Sequence, residues 1–276
     1  AALAGCRTVS RSIPRTQADG IAWEVADGVA RLTLCSPETA NTIGYAASKI
    51  WPRAFAAVVD AAPRVIVLGA EGRLFCAGGD IHGMAANAHA LGPYIASTLE
   101  PLHQGYVALA SAPCPIVAVV QGPLGGAGIG LALVADLVLA STTTKLRAGY
   151  PAIGLSPDVG ASYFLIRRVG AARAQRWLLT NAVVTAEELL AAGAVDALHA
   201  PEELAAAAAH WVDYFRQAAP ASMAAIKQLC RRADPDGLAA HVALEKQLLQ
   251  HCAERADASE GVQAFLAKRS PVFTGR

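Results

Sequence analysis

Three features of the chain predict an α/β fold. Two apolar runs of strand length, at 65–70 and 115–120, each lead through a glycine-rich turn into a helical stretch. A hairpin pattern precedes them, with β-rich runs at 21–25 and 29–34 around Asp27-Gly28. The β-signals end near Leu198, and the rest reads as helix. With 276 residues, 54% hydrophobic and only 16% charged, the chain can bury a large core and is not of disordered composition. A net charge of +1 gives no argument for nucleic acid or a membrane surface. No apolar run reaches the length of a membrane span.

Residues 1–20 carry Arg7, Arg11 and Arg15 with no acid before Asp19, which reads as a flexible leader, although a transit peptide has the same look. After the hairpin, a loop at 36–41 ends at Asn41 and Thr42, either of which can cap a helix over 43–62. Pro52 should kink or split that helix. The first glycine turn is Glu71-Gly-Arg-Leu-Phe-Cys-Ala-Gly-Gly-Asp80. Helical stretches follow at 82–90 and 94–110, and the segment between them, 89–93, reads as a lid.

The second turn is Gln121-Gly-Pro-Leu-Gly-Gly-Ala-Gly-Ile-Gly-Leu131, opening onto an Ala/Leu-rich helix. Glycines let a backbone approach a ligand closely, and the first amides of a helix lack internal partners. Such a place stabilises a developing negative oxygen, but it is equally a tight strand-to-helix turn with no ligand. The device occurs twice, so two turns on neighbouring strands could each aim one N–H at a single oxygen. Beyond it, a short strand is expected at 137–140. Ser156-Pro157 reads as an N-cap followed by proline at the first helical position. Helices are expected at 160–169, 171–179, 185–192 and 202–217, with two or three more to Ala267. A boundary near residue 200 divides the chain into a leader (1–20), a core (21–200) and a helical part (201–276).

The six cysteines and seven histidines are scattered, without CxxC or HxxxH spacing, so no metal site is expected. The cysteine usage fits reduced thiols and a cytoplasmic protein. Gly126-Ala-Gly128-Ile-Gly130 invites a dinucleotide-binding reading, but Leu131 stands where that fingerprint needs its last glycine.

Five stretches together resemble the crotonase (enoyl-CoA hydratase/isomerase) superfamily. They are Phe75-Cys-Ala-Gly-Gly-Asp-Ile81, Gly122 to Asp136, Ile153 to Ser162, the start at Arg31-Leu-Thr-Leu with Pro37 and Asn41, and the end from Glu260 to Gly275. The resemblance covers about residues 21–275, in the family's order. It implies a crotonase-like spiral of ββα units, a helical C-terminal trimerisation region giving a homotrimer or hexamer, and coenzyme A thioesters as substrates with no separate cofactor. It places an oxyanion hole on the N–H groups of Ala77 and Ala127. It also places Thr39, Ala40 and Asn41 beside the adenine, and Phe265 and Lys268 of a neighbouring subunit near the nucleotide. Cys76, Gly78, Gly79, Asp80, Ile81, Leu124, Gly126, Tyr150 and Leu155 are expected to line the substrate site, with Asp80 also a candidate helix cap.

Departures from the family pattern bear on the chemistry. Its hydratases use two glutamates, which would fall at Gly130 and Tyr150 here. Glycine transfers no proton, and tyrosine is a poor base at neutral pH. Asp158 resembles the single acid of some isomerases of the family, although it also suits a first helical turn. The expectation is a 3-enoyl-CoA to 2-enoyl-CoA isomerase with Asp158 as base. Hydration, another reaction of this type and non-catalytic acyl-CoA binding stand as alternatives.

Overall fold

The computed structural model describes residues 10–232, 256, 257, 260 and 269–276. Its frame is a seven-stranded sheet in the order β1-β2-β3-β4-β5-β7-β10. These strands are β1 (Ile13–Ala18), β2 (Ile21–Ala26), β3 (Val29–Leu34), β4 (Val65–Ala70), β5 (Ile116–Val120), β7 (Leu137–Ser141) and β10 (Ala197–His199). The first three pair antiparallel, and β3, β4, β5, β7 and β10 run parallel to one another. A second sheet of three short strands, β6 (Leu124–Gly125), β8 (Lys145–Arg147) and β9 (Val183–Thr185), starts within the second glycine turn.

Nine helices fill the connections among the described residues: α1 (Tyr45–Asp60), α2 (Ile81–Ala86), α3 (Leu91–Ala110), α4 (Ala127–Leu133), α5 (Ala161–Val169), α6 (Ala171–Thr180), α7 (Ala186–Ala191), α8 (Leu204–Gln217) and α9 (Pro220–Arg232). The fully apolar strands β4 and β5 are covered on both faces, as central parallel strands require. One face packs on α1 and α3 through Trp51, Phe55, Leu102 and Leu109. The other is closed by Leu204, Ala208 and Val212 of α8 over Val65, Val117 and Leu139. None of the described helices is long and apolar enough to cross a membrane.

Several expectations are corrected. The flexible leader at 1–20 does not hold for its last third, because Ile13–Ala18 forms the edge strand β1. Its side chains are mostly exposed, so no apolar alternation marks it, and Pro14 is tolerated at an edge. Pro52 does not split α1, which runs from Tyr45 to Asp60 with the proline inside. Gly105 of α3 faces it, where a Cβ would lie 2.4 Å from the Pro52 Cα. The segment 89–93, expected between two helices, is itself helical, ending the 3-10 turn Ala88–Ala90 and opening α3 at Leu91. Ser156-Pro157 starts no helix, since Val159 and Gly160 take left-handed φ of 43° and 69° and α5 opens only at Ala161.

Candidate active site

β4 and β5 are neighbours in the sheet, so the turns that follow them meet at its carboxyl edge, where open parallel sheets place their ligands. In the first turn, the Ala77 N–H donates to the Ala40 carbonyl at 3.0 Å and the Asp80 N–H to the Ile43 carbonyl at 3.1 Å. The Gly78 backbone lies close enough to the Cys76 sulfur to pull its thiol pKa down against burial. The Gly79 N–H has no acceptor among the described residues. In the second turn, the Gly125 N–H donates to the Cys76 carbonyl at 2.9 Å and the Gly126 N–H to the Ala148 carbonyl at 3.1 Å. Ala127 then opens α4, and its N–H also lacks an acceptor among the described residues.

This corrects the expected amide pair. Ala77 is engaged by the 36–41 loop, whereas Gly79 and Ala127 each keep a donor without an acceptor among the described residues. The two turns touch where only glycine fits: at Gly78, with φ of 103°, a Cβ would lie 3.1 Å from the Gly126 Cα and 3.3 Å from the Ala127 nitrogen. Ala127 is not among the residues of positive φ, so its Cβ is no obstacle in the glycine run.

Gly79, Ala127 and Asp158 line one small cavity of about 30 Å³, with Ile43, Met84, Tyr94 and Leu102 among the apolar walls. Asp158 stands just before the left-handed pair Val159-Gly160, outside any helix, so no helix dipole explains it. Its Oδ1 accepts a 2.8 Å hydrogen bond from the hydroxyl of buried Tyr150. Burial pushes the Asp158 carboxyl above its ordinary range, against the opposing pull of the Tyr150 hydroxyl and the nearby charge of His103. On its other side, Asp158 borders a larger chamber of about 580 Å³ with His103, Tyr106, Tyr163 and Phe164 on its walls.

No carboxylate stands at the two positions where hydratases of the family carry one. At Gly130 a Cβ would lie 1.8 Å from the Val159 carbonyl oxygen, so the space is filled by backbone. Tyr150 is buried, and burial and Asp158 both raise its pKa, which keeps it neutral.

The remaining expected residues divide by depth. Thr39, Ala40, Asp80 and Ile81 line an open groove of about 800 Å³ leading to the first turn. Asp80 also caps α2, accepting from the His82 N–H at 3.0 Å. Asn41 is corrected from a substrate contact to a brace. Its buried side chain holds the Ser36 N–H and the Glu71 and Leu74 carbonyls. Cys76 and Leu124 are likewise buried behind the turns. The Cys76 thiol, pushed up to about 12 by burial, donates to the Asn41 carbonyl and is no nucleophile. Leu155 is half-buried and lines none of these three cavities. Phe265 and Lys268 lie outside the described residues. No group of His, Cys, Asp or Glu among the described residues could hold a metal ion. Sequence reading missed Val159 and His103. The first gives no pattern signal, and the second shares a wall with Asp158 only through the fold.

Free amides on paired crossover turns, with one desolvated acid beside them, define an enzyme site for reactions that pass through an anionic oxygen. The family model for enoyl-CoA hydratase/isomerase matches residues 24–276, and the chain belongs to that family. It is 37% identical over 260 residues to a probable enoyl-CoA hydratase of Rhodobacter capsulatus, covering 93% of this chain and 98% of the relative. It is 32% identical to the 1,2-epoxyphenylacetyl-CoA isomerase of Escherichia coli, covering 91% of this chain and 97% of the relative. The crystal structure of an enoyl-CoA hydratase from Polaromonas sp. JS666 superposes with a TM-score of 0.85 at 30% identity, over 92% of this chain and 99% of that one. The activity is accordingly of the enoyl-CoA hydratase/isomerase type, on acyl-CoA.

Proposed function

We propose that the protein isomerises 3-enoyl-CoA to 2-enoyl-CoA. The thioester oxygen sits between the N–H groups of Gly79 and Ala127. Asp158 takes a proton from C2, and the electron pair of that C–H bond moves onto the thioester oxygen, where the amides stabilise it. Collapse of the enolate forms the C2=C3 double bond as the former C3=C4 pair takes the proton back from Asp158 at C4. Nothing is gained or lost overall. The observation that carries this reading is a carboxylate, desolvated and with a raised pKa, lining the same cavity as the two unclaimed amides, while the other acid there, Asp80, caps α2. A base poised above the usual carboxylate range is better matched to a weak carbon acid. The acyl tail continues into the chamber on the far side of Asp158.

Coenzyme A occupies the groove beside Thr39 and Ala40. Its described walls carry Asp19, Glu38 and Asp80 but neither lysine nor arginine, so His82 is the one cationic candidate for the phosphates there. A homotrimer or hexamer is part of the same reading, as is a cytoplasmic location; light scattering of the purified chain tests the first. The reaction is tested by incubating the protein separately with 3-enoyl-CoA and 2-enoyl-CoA while following conjugated product, hydrated product and free thiol. Conjugated product from the first substrate is expected. Hydration of the second without isomerisation of the first would assign the rival chemistry, and acyl-CoA binding without turnover would make the protein a binder.

A further inference from the structure

Asp158 is held by an unfavourable turn. The Ala161 N–H donates to the Asp158 carbonyl at 2.9 Å, closing four residues around Val159 and Gly160, whose φ values of 43° and 69° are both left-handed. Two such residues make a turn of the I′ kind, where asparagine and glycine are at home and a β-branched side chain is not. Valine nevertheless stands first. Its side chain is 1% exposed and packs in the main core, and it lines both cavities that Asp158 borders. Its carbonyl is seated on Gly130 of α4. A Cβ at position 130 would lie 1.8 Å from the Val159 oxygen, 2.8 Å from its carbonyl carbon and 3.0 Å from the Ala161 nitrogen. All three are backbone atoms, so relief requires the whole turn to move. The seat is itself fixed, because the buried Tyr106 hydroxyl donates to the Gly130 carbonyl at 2.7 Å.

We infer that Gly130 and Val159 are positioning residues for Asp158: the missing side chain on α4 and the buried valine in a left-handed turn together hold the carboxylate beside the amide pair in this chain. The strain is maintained by burial on one side and by the glycine seat on the other, as expected of backbone outliers at functional sites. Neither residue touches substrate through a reactive group; both act through the place they give Asp158. The inference rests on Asp158 being the base.

The test compares Gly130→Ala and Val159→Gly with Asp158→Asn and with the control Gly69→Ala, whose added Cβ meets nothing within 4 Å on β4. The readouts are kcat, KM for 3-enoyl-CoA and the acid limb of the pH profile; Tyr150, His103 and the Cys76 thiol are the titratable groups that act on Asp158, and Asp80, Tyr94, Tyr106, Tyr163, Arg167 and Arg231 share its two cavities. Gly130→Ala should lower kcat by about 100-fold, the usual result of displacing a reacting group by an ångström. KM should stay within about threefold, since ground-state binding is untouched. The acid limb should fall toward the ordinary carboxylate range as Asp158 leaves its apolar wall. Val159→Gly should shift both readouts in the same direction by about tenfold in kcat, and it decides the matter if Gly130→Ala does not fold. Wild-type kcat and acid limb in these variants, with Asp158→Asn inactive, overturns the positioning inference alone. A fall in kcat with the acid limb unmoved overturns it too, as a merely structural effect. Activity retained in Asp158→Asn overturns instead the reading of the base on which it stands.

Discussion

Asp158→Asn keeps a side chain that can still accept the Tyr150 hydrogen bond but removes the base. Isomerisation should drop by about 10²–10⁴-fold, the usual contribution of a positioned proton-transfer group, with acyl-CoA affinity nearly unchanged by calorimetry. The same variant has a stability signature. The folded-state pKa of Asp158 lies above its ordinary 3.8, so its contribution to stability is full below that value and is lost as pH rises through the folded-state pKa. Ionised Asp158 therefore costs stability at neutral pH. The variant should melt higher than wild type at pH 7, and the gap should close as pH falls toward 4. Tyr150→Phe removes a donor that favours the ionised form. Its acid limb should move up, and kcat at neutral pH should fall by about tenfold, the worth of one hydrogen bond to a charged group. At this scale, Asp158 was legible because it is an acid in Ser-Pro-Asp-Val-Gly, beside positions where the expected acids are missing. The identity of the first amide was not legible. Ala77 and Gly79 are both small residues in one turn, and only the Ala40 carbonyl, folded in from 37 residues earlier in the chain, decides which N–H stays unclaimed.

Elements show the same division between local and tertiary causes. The hairpin of β2 and β3 was readable from Asp27-Gly28, whose φ values of 50° and 77° are those that dipeptide favours. The strands β4 and β5 were readable as unbroken apolar runs. β1 was not, because an exposed edge strand needs no apolar pattern. The start of α5 was misplaced because Ser156-Pro157 carries a good local signal that the seat on Gly130 overrides. α9 is fixed by a contact that no local pattern encodes. Buried Lys227 bonds Asp136 at 2.5 Å and the Cys114 carbonyl at 2.6 Å. The same Asp136 carboxylate accepts from the Ile116 N–H at the start of β5. Burial pushes the Lys227 pKa down while Asp136 holds it up. Removing Lys227 leaves the Asp136 carboxylate, about a third exposed, with the Ile116 N–H and a longer contact to Arg231 at 3.6 Å. Lys227→Ala should therefore cost about 1–3 kcal/mol in urea denaturation. Lys227→Met should cost less, because its chain still fills the site. Equal losses from the two variants would mean that charge and its hydrogen bonds rather than packing hold α9.

Across the whole molecule, the site exists because two crossover turns from adjacent parallel strands are pressed together without side chains between them. Glycine marked both turns in the sequence, but their contact depends on the strand order β3-β4-β5-β7, which no single stretch encodes. Gly128 is where that contact can be tested without touching Asp158, Gly79 or Ala127. A Cβ there would lie 2.4 Å from the Cys76 carbonyl oxygen and 2.9 Å from the Cys76 Cβ. That carbonyl also accepts the Gly125 N–H, so it is held from the second turn and cannot retreat alone. Gly128→Ala should wedge the turns apart and pull the two amides out of reach of a single oxygen. The loss of one oxyanion donor is worth about 2.7–4 kcal/mol, or 10²–10³ in kcat. The overpacking itself should lower stability by about 1–3 kcal/mol. The acid limb of the pH profile, set by Asp158, should stay where it is, which separates this lesion from one at the base. If Gly128→Ala turns over at the wild-type rate, the oxyanion is stabilised somewhere other than the junction of the two turns.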